Sequence, residues 1–302
     1  MGRGVARTFS IITTCKGRLE HLQASLPKMI AQGASEVIVV DYSCPDGTAA
    51  FVAKTYPDVR VVTVAGEQHF SNWKARNAGA AAASGDLLIF VDADTIFADG
   101  AVVAIDAALP ERAYGFFLRK ASRAFNRGGP KLALNQLKGF HVVPAEAFRR
   151  IGGYDEVLEG YAAGADTDLE ERLSMLGLER HPLDPKIIES VIEHDAASRT
   201  EHHAHAVGTS YAAGLLYVAA KKAVMQRNRR PQLALETRQQ LYAGALQAAQ
   251  TLGTKADRAG ITVTLDHQPV LMPRQVGYER GTLSLSLRVE MEFEGKLDKL
   301  PD

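Results

Sequence analysis

From residue 8 to residue 118, short aliphatic runs alternate with longer segments of helical periodicity, the pattern of a mostly parallel sheet built from βαβ units. The runs predict strands at Thr8–Thr13, Glu36–Asp41, Val59–Val64 and Leu87–Val91, with a further one at Tyr114–Leu118. Apolar residues recurring at helical spacing predict helices between them, at Leu19–Gln32, Ala49–Tyr56 and Asn72–Ala83. Gly33 and Gly85 fall where helix C-termini favour a left-handed residue.

The rhythm breaks at 120–138, KASRAFNRGGPKLALNQLK, a basic, glycine-containing stretch that reads as a long functional loop. GFHVVPAEAFRRIGGYDE then reads as a short strand, a helix and a turn, and DTDLEERLSMLG as a helix capped by Asp166 or Thr167. A further strand is expected at Lys186–Glu193. Two helical patterns between Ala206 and Leu252 flank a basic loop at Arg229–Pro231 and resemble a helical hairpin. Near the end, Ile261, Val263 and Leu265, then Leu283, Leu285, Leu287, Val289, Met291 and Phe293, alternate with polar residues and predict a half-buried β-hairpin. No internal repeat interrupts this order. The expected organisation is an α/β domain over 1–205, its first half at 1–118 of the nucleotide-binding type and its second at 119–205, followed by an extension at 206–302.

Charge and cysteine content narrow the classes. The 302 residues carry 35 basic and 35 acidic side chains, so no global field draws in nucleic acid or an anionic surface. Any anion recognition must be local. Cys15 and Cys44 form neither a disulfide framework nor a CxxC pattern, and their simplest reading is two inert residues in a reducing compartment. The N-terminal MGRGVARTFS lacks a signal-peptide core, and Ala206–Ala220, interrupted by Gly, Ser and Thr, falls short of the roughly 20 apolar residues of a spanning helix. A cytoplasmic protein without a transmembrane segment is expected, with room for peripheral membrane association.

The chemistry concentrates where strands end. LLIFVDAD, Leu87–Asp94, is a buried-looking run that stops at two carboxylates one residue apart. Ligands of open α/β sheets gather at such ends, and two close like charges leaving a dry environment invite a cation. The first strand ends in TTCKGR and the second in DYSCPDGT, so three successive ends carry polar groups. Asp41 could accept from the N–H of a pyrimidine base, while Thr14 and Arg18 could hold ribose or phosphate. The structural alternative for Asp41 is a turn or helix cap, a job for which Ser43 and Asp46 compete.

With these residues in place, the chain resembles an inverting nucleotide-sugar glycosyltransferase of the GT-A fold, in the broad family-2 group. DAD resembles that family's DxD motif, and FSNWKARNAG, Phe70–Gly79, resembles the F-x-x-x-K-x-x-N-x-G helix of galactosyltransferase and N-acetylgalactosaminyltransferase relatives. The resemblance implies that Lys74, Arg76 and Asn77 stand near the nucleotide diphosphate, whereas the residues alone would read as a solvated amphipathic face. IGGYDE followed by GADTDLEERL resembles the family's G-G-[FY]-D-E and its later acidic segment. The general base then falls on Asp166, with Ala165 where an acidic residue usually precedes it and Asp168 as the competing carboxylate. His194, beyond the next strand, matches the family's metal-binding histidine.

The implied site comprises Asp166 as catalytic base, Thr14, Arg18, Asp41, Lys74, Asn77, Asp92 and Ala93 on the donor, and Asp94, His194 and Asp92 on Mn2+ or Mg2+. Asp94 is the expected direct ligand, and Asp92 the ribose or water-mediated contact. His202, His203 and His205 read as loop or acceptor-site residues. The implied donor is a UDP-sugar, and the acceptor a saccharide or other hydroxyl compound. The exposed alternating face of the terminal hairpin suggests a homodimer, although packing onto the chain's own helices would satisfy it equally. A sugar nucleotidyltransferase would carry a glycine-rich loop where TTCKGR stands, a glycoside hydrolase leaves DAD beside KARN unexplained, and an inactive nucleotide-sugar binding module is the non-enzymatic rival.

Overall fold

The computed structural model describes residues 7–118, 137, 139–160, 164–193, 201–203, 205–251, 258–271 and 280–292. His194 and, Leu137 apart, the basic segment 120–138 lie outside them. The chain divides into two compact units, Met1–Glu156 with Leu169–Ala204, and Val157–Asp168 with His205–Asp302.

The first unit is built on a seven-stranded sheet. Its strands are β1 (Phe9–Cys15), β2 (Glu36–Tyr42), β3 (Arg60–Val64), β4 (Leu87–Asp92), β6 (Ala113–Phe116), β7 (His141–Pro144) and β8 (Glu179–Pro182), in the order β3-β2-β1-β4-β7-β6-β8. Only β7 runs against its neighbours β4 and β6; the pairings of β1 with β2 and β4, of β2 with β3 and of β6 with β8 are parallel. A two-stranded antiparallel ribbon, β5 (Thr95–Phe97) with β9 (Ile188–Val191), follows the end of β4.

Burial explains the sequence pattern. All seven residues of β1 and the first five of β4 are buried, so both faces of these central strands lie in the core and their aliphatic runs are continuous. Helices α1 (Leu19–Ile30), α2 (Thr48–Thr55) and α3 (Asn72–Ala82) are the crossovers. The periodic face of α1 buries Leu22, Leu26 and Met29 beside Ile11, Val39 and Ile89, each side chain contributing roughly 1.5–3 kcal/mol. A fourth helix, α4 (Ala101–Ala108), packs Val102 and Ile105 into the same cluster. Gly33, with φ +65°, ends α1 as expected. Gly85 lacks the expected positive φ: a Cβ there would lie 2.6 Å from Ser10 Oγ and 2.8 Å from its backbone nitrogen, so close chain approach is what requires glycine.

Helix α5 (Ala145–Arg150) leads into the IGGYDE turn, and α6 (Ala165–Met175) follows. Because α6 already starts at Ala165, Asp166 and Asp168 are first-turn residues, which corrects the expectation that Asp166 or Thr167 caps the helix. Their charge suits the positive end of the helix dipole.

In the second unit, α7 (Val207–Asn228) and α8 (Leu235–Ala249) form the helical hairpin, with Tyr217 and Tyr242 packed edge to face at 5.6 Å. Arg229, with φ +51°, closes α7 in the left-handed conformation. β10 (Arg258–Leu271) and β11 (Arg280–Glu292) pair antiparallel, and a register shift between Thr264 and Asp266 interrupts the alternation at Leu265. Ala259 and Ile261 are buried where β10 packs on α7 and α8, while Leu285 is exposed. The apolar face is thus partly satisfied by the chain's own helices.

Candidate active site

Strand order places the site. β2 and β3 lie on one side of β1 and β4 on the other, so the crevice at the carboxyl ends of β1 and β4 is where the winding reverses. The register aligns the polar residues there, with Thr14 opposite Asp92 and Cys15 opposite Asp41. Three chain segments far apart in sequence therefore end in hydrogen-bonding groups at one edge.

Asp94 is 7% exposed, just past the end of β4, and its Oδ2 stands 3.7 Å from an Arg18 guanidinium nitrogen. Asp92, about one-third exposed, accepts from Arg76 Nη2 at 2.6 Å. The intervening Ala93 is buried, and its carbonyl accepts from Ser25 Oγ of α1 at 2.7 Å. The Ile192 N–H donates to the Asp94 carbonyl at 2.8 Å, extending the β5–β9 pairing. That contact brings the chain beside Asp94 two residues before His194.

Asp41 holds the β2 end together. Its Oδ1 accepts from the Cys44 N–H at 2.8 Å and its Oδ2 from the Ala49 N–H at 2.7 Å, in the first turn of α2. Asp46 takes the corresponding position for α1, accepting from the Leu19 N–H at 3.2 Å. Both carboxylates cap helices at the crevice, and each Asp41 oxygen retains a second lone pair for a further donor. Thr14 is buried, and its hydroxyl meets Asn72 Oδ1 at 3.2 Å.

Three residues of α3 point in different directions. Lys74, exposed, lies 3.9 Å from Glu67. Arg76 is 1% exposed: it donates to the Gly139 carbonyl at 2.7 Å, the Tyr154 hydroxyl at 3.1 Å and Asp92, and its guanidinium lies within 6 Å of the Phe90 and Tyr154 rings, at 5.9 and 5.5 Å. Asn77 binds the IGGYDE turn, donating to the Tyr154 carbonyl at 3.0 Å and Glu156 at 2.7 Å and accepting from the Tyr154 N–H at 2.8 Å. The amphipathic reading of this helix thus gives way to a buried tie at Arg76, which reaches the DAD end, and a part-buried one at Asn77, whose amide reaches the turn.

Several supports escaped the sequence reading. Lys16 is 8% exposed and donates to the carbonyls of Tyr42 at 3.3 Å, Ser43 at 3.2 Å and Glu67 at 2.8 Å, joining the ends of β1 and β2 to the segment before α3. The His202 ring occupies the place of a Cβ at Gly17, φ +67°, while the His202 carbonyl accepts from the Phe70 N–H at 2.7 Å. Cys15 and Cys44 lie side by side, their sulfurs 3.9 Å apart.

The two candidate bases differ within the second unit. Asp168 is 1% exposed and its Oδ1 lies 2.7 Å from the fully buried Nζ of Lys221 on α7. Asp166 is partly exposed. For a metal, the strand end offers Asp92 and Asp94, hard oxygen donors of the type that Mg2+ and Mn2+ take. Among the described residues no cluster of three His, Cys, Asp or Glu is assembled for such an ion.

Residues 10–118 match glycosyl transferase family 2. The fold is shared with the mannosyltransferase PcManGT from Pyrobaculum calidifontis in complex with GDP-Man and Mn2+, at a TM-score of 0.52 and 17% identity over 83% of this chain and 77% of that one. The chain is a glycosyltransferase of the GT-A type. TarS of S. aureus, in its residues 1–349, is similar at a TM-score of 0.51 and 14% identity, over 81% of this glycosyltransferase and 72% of TarS. Curated protein sequences give no match. No helix among the described residues of the glycosyltransferase is long and apolar enough to cross a membrane.

Proposed function

We propose that this glycosyltransferase moves a sugar from a UDP-sugar to an acceptor hydroxyl by a single, inverting displacement. The observation that carries this reading is the alignment of Thr14, Asp41 and Asp92 across three adjacent strand ends at the reversal of the sheet, with Asp94 and Arg18 beside them. Asp41 meets the base through its remaining lone pairs, Thr14 and Asp92 meet the ribose, and the Ala93 backbone lines the crevice. Arg18 and Lys74 face the diphosphate, where their positive charge offsets the negative charge that grows on the leaving group. Asn77 acts through the turn it binds.

Asp166 takes the acceptor proton as the hydroxyl oxygen bonds to the anomeric carbon and the glycosyl C–O bond breaks toward the diphosphate. The partial exposure of Asp166 supports it as the base, whereas the buried ion pair of Asp168 with Lys221 supports a bracing role. Asp94, Asp92 and His194 are the residues that would hold Mn2+ or Mg2+, and such an ion supplies electrophilic assistance to the departing phosphate. PcManGT is described with GDP-Man and Mn2+, which makes GDP-mannose the second donor to try.

The test is nucleotide release from a panel of UDP-sugars and GDP-mannose, with Mn2+, Mg2+ or a chelator. Loss of turnover by about a hundredfold or more is expected for Asp94→Asn and Asp166→Asn and on chelation. Equal turnover by the parent and both variants would remove the assigned roles. The exposed Leu285 and partly exposed Leu287 and Val289 on β11 further support dimerisation through the terminal hairpin; a monomeric mass by light scattering would reject it.

A further inference from the structure

The two cysteines, 29 positions apart in sequence, meet at the donor-base end of the crevice. Cys15 closes β1 and is 1% exposed; Cys44 follows Asp41 by three residues and is half-buried. Their sulfurs are 3.9 Å apart, and Thr48 Oγ1 lies 3.2 Å from one and 3.1 Å from the other. The Gly17 N–H points at Cys44 Sγ from 3.2 Å. A sulfur surrounded by donors is stabilised as the thiolate, the nucleophilic form. The Cys15 side chain and the neighbouring donors outweigh burial and hold the Cys44 thiol at about 5. The Cys15 thiol is pushed up by its hydrogen bond to Cys44 and by burial, so it stays protonated. Exposure and contacts distinguish the two: half-buried Cys44, facing the Gly17 N–H, is the attacking sulfur, and enclosed Cys15 the resolving one.

We propose that Cys44 is an oxidation site, and that Cys44 and Cys15 form a reversible disulfide which weakens donor binding. With hydrogen peroxide as oxidant, the Cys44 thiolate attacks the O–O bond, takes one oxygen as sulfenic acid and releases hydroxide. Cys15 sulfur then displaces that oxygen from Cys44; its proton leaves with the oxygen as water. Two thiols are oxidised by two electrons, and one peroxide is reduced to two waters.

Closing the bond brings the sulfurs from 3.9 Å to about 2 Å. The chain that must shift is the tight Ser43–Gly47 turn. Ser43 sits at φ +48°, and the Cys44 N–H is one of the two donors that orient the Asp41 carboxylate. Pulling Cys44 toward β1 loosens that donor and turns Asp41 away from a bound base. The regulatory half of the proposal rests on the donor site assigned above, whereas the thiol chemistry stands without it.

The experiment titrates thiols and measures intact mass before and after stoichiometric hydrogen peroxide, then follows donor turnover on the same samples. The native reduced chain should show both thiols; after peroxide it should show none, weigh less by two hydrogens and return to the starting state with dithiothreitol. Cys15→Ser, which cannot close the bond, should instead trap Cys44 sulfenic acid as a dimedone adduct. Oxidation should raise the donor KM about tenfold, the worth of one weakened charged hydrogen bond, with reversal on reduction and no such change in Cys44→Ser. Persistence of both thiols, or oxygen addition without loss of hydrogen, would overturn the disulfide. A disulfide that leaves KM unaltered would overturn its effect on donor binding. If the reduced protein turns over no donor in the panel, the donor assignment and the regulatory half fail together, and the mass measurement still decides the thiol chemistry.

Discussion

Replacing Lys221 by methionine tests whether Asp168 is a brace and Asp166 the base. Lys221 Nζ and Asp168 Oδ1 stand 2.7 Å apart with the two side chains 0% and 1% exposed. Methionine keeps most of the apolar stem and deletes the charge, leaving a carboxylate in the protein interior without its closest cation. Removing one member of such a pair costs about 3–5 kcal/mol, while removing both can be nearly neutral. A loss of about 3 kcal/mol corresponds to roughly hundredfold faster opening of the helix that carries Lys221.

Hydrogen exchange read by mass spectrometry on peptides from 207–228 isolates this unit from the rest of the chain. Lys221→Met should speed exchange there about a hundredfold, and adding Asp168→Asn should restore most of the protection. The double variant should also keep turnover within about tenfold of the parent, whereas Asp166→Asn loses about a hundredfold or more. Exchange in Lys221→Met within about fivefold of the parent would refute the buried-pair reasoning. Loss of turnover in the double variant equal to that in Asp166→Asn would refute the division of roles.

Gly79→Ala should lower stability by about 1–3 kcal/mol by overpacking, measured from urea midpoints, because its Cβ would meet Ile12 Cγ2 at 2.5 Å and Val40 Cγ2 at 2.9 Å where α3 packs on β1 and β2. Arg76→Met should cost about 3 kcal/mol through lost charged hydrogen bonds and an unpaired carbonyl and should reduce turnover as well. Burial alone would raise the Glu36 carboxyl, but the Ser84 N–H, the Ser10 and Ser84 hydroxyls and Arg60 outweigh it and hold the group below its ordinary 4.5. A depressed carboxyl contributes stability above its unfolded pKa and loses it as pH falls through the folded value, so the stability advantage of the parent over Glu36→Gln should shrink from about pH 5 to pH 3. An advantage independent of pH over that window would contradict the linkage.

What the sequence disclosed follows from what periodicity can encode. A strand buried on both faces must be continuously apolar, so β1, β2 and β4 stood out, and LLIFVDAD marked the point where β4 leaves the core. The site's supports were hidden because each is a meeting of distant positions. Lys16 reads as an ordinary surface lysine until three carbonyls surround it. Cys15 and Cys44 read as unrelated until parallel pairing of β1 and β2 brings both to one edge. Arg76 and Asn77 sit in a segment whose charge suggests solvent, yet their partners are Asp92, Gly139 and the 154–156 turn, 16 to 79 positions away. Gly85 shows the same limit: composition marked a glycine position, but only the packing against Ser10 gives its cause.

These hidden ties bear on how a like-charged pair can stand ready at a strand end. Asp92 is held by Arg76, Arg76 also binds Gly139 and Tyr154, and the next residue of α3, Asn77, binds the Tyr154 backbone from both its amide ends. The carbonyls of Ile151 and Gly153 in the same turn accept from Arg172 of α6 at 2.9 and 2.6 Å. A line of hydrogen bonds, several of them charge-assisted, therefore runs from the DAD end through the 151–154 turn to Arg172. Charge-assisted bonds among buried groups are stronger than those in water, and breaking any one strands a polar group without solvent. Repulsion between Asp92 and Asp94 is consequently borne by two guanidiniums, Arg76 and Arg18, of which the first is locked into the core and the second is partly open to solvent at 3.7 Å. The Arg76 contact is short and enclosed and keeps Asp92 in place. On this reasoning Asp92 is the residue of the pair that gives the strand end its fixed frame, and Asp94 the one that meets the longer, more exposed guanidinium contact.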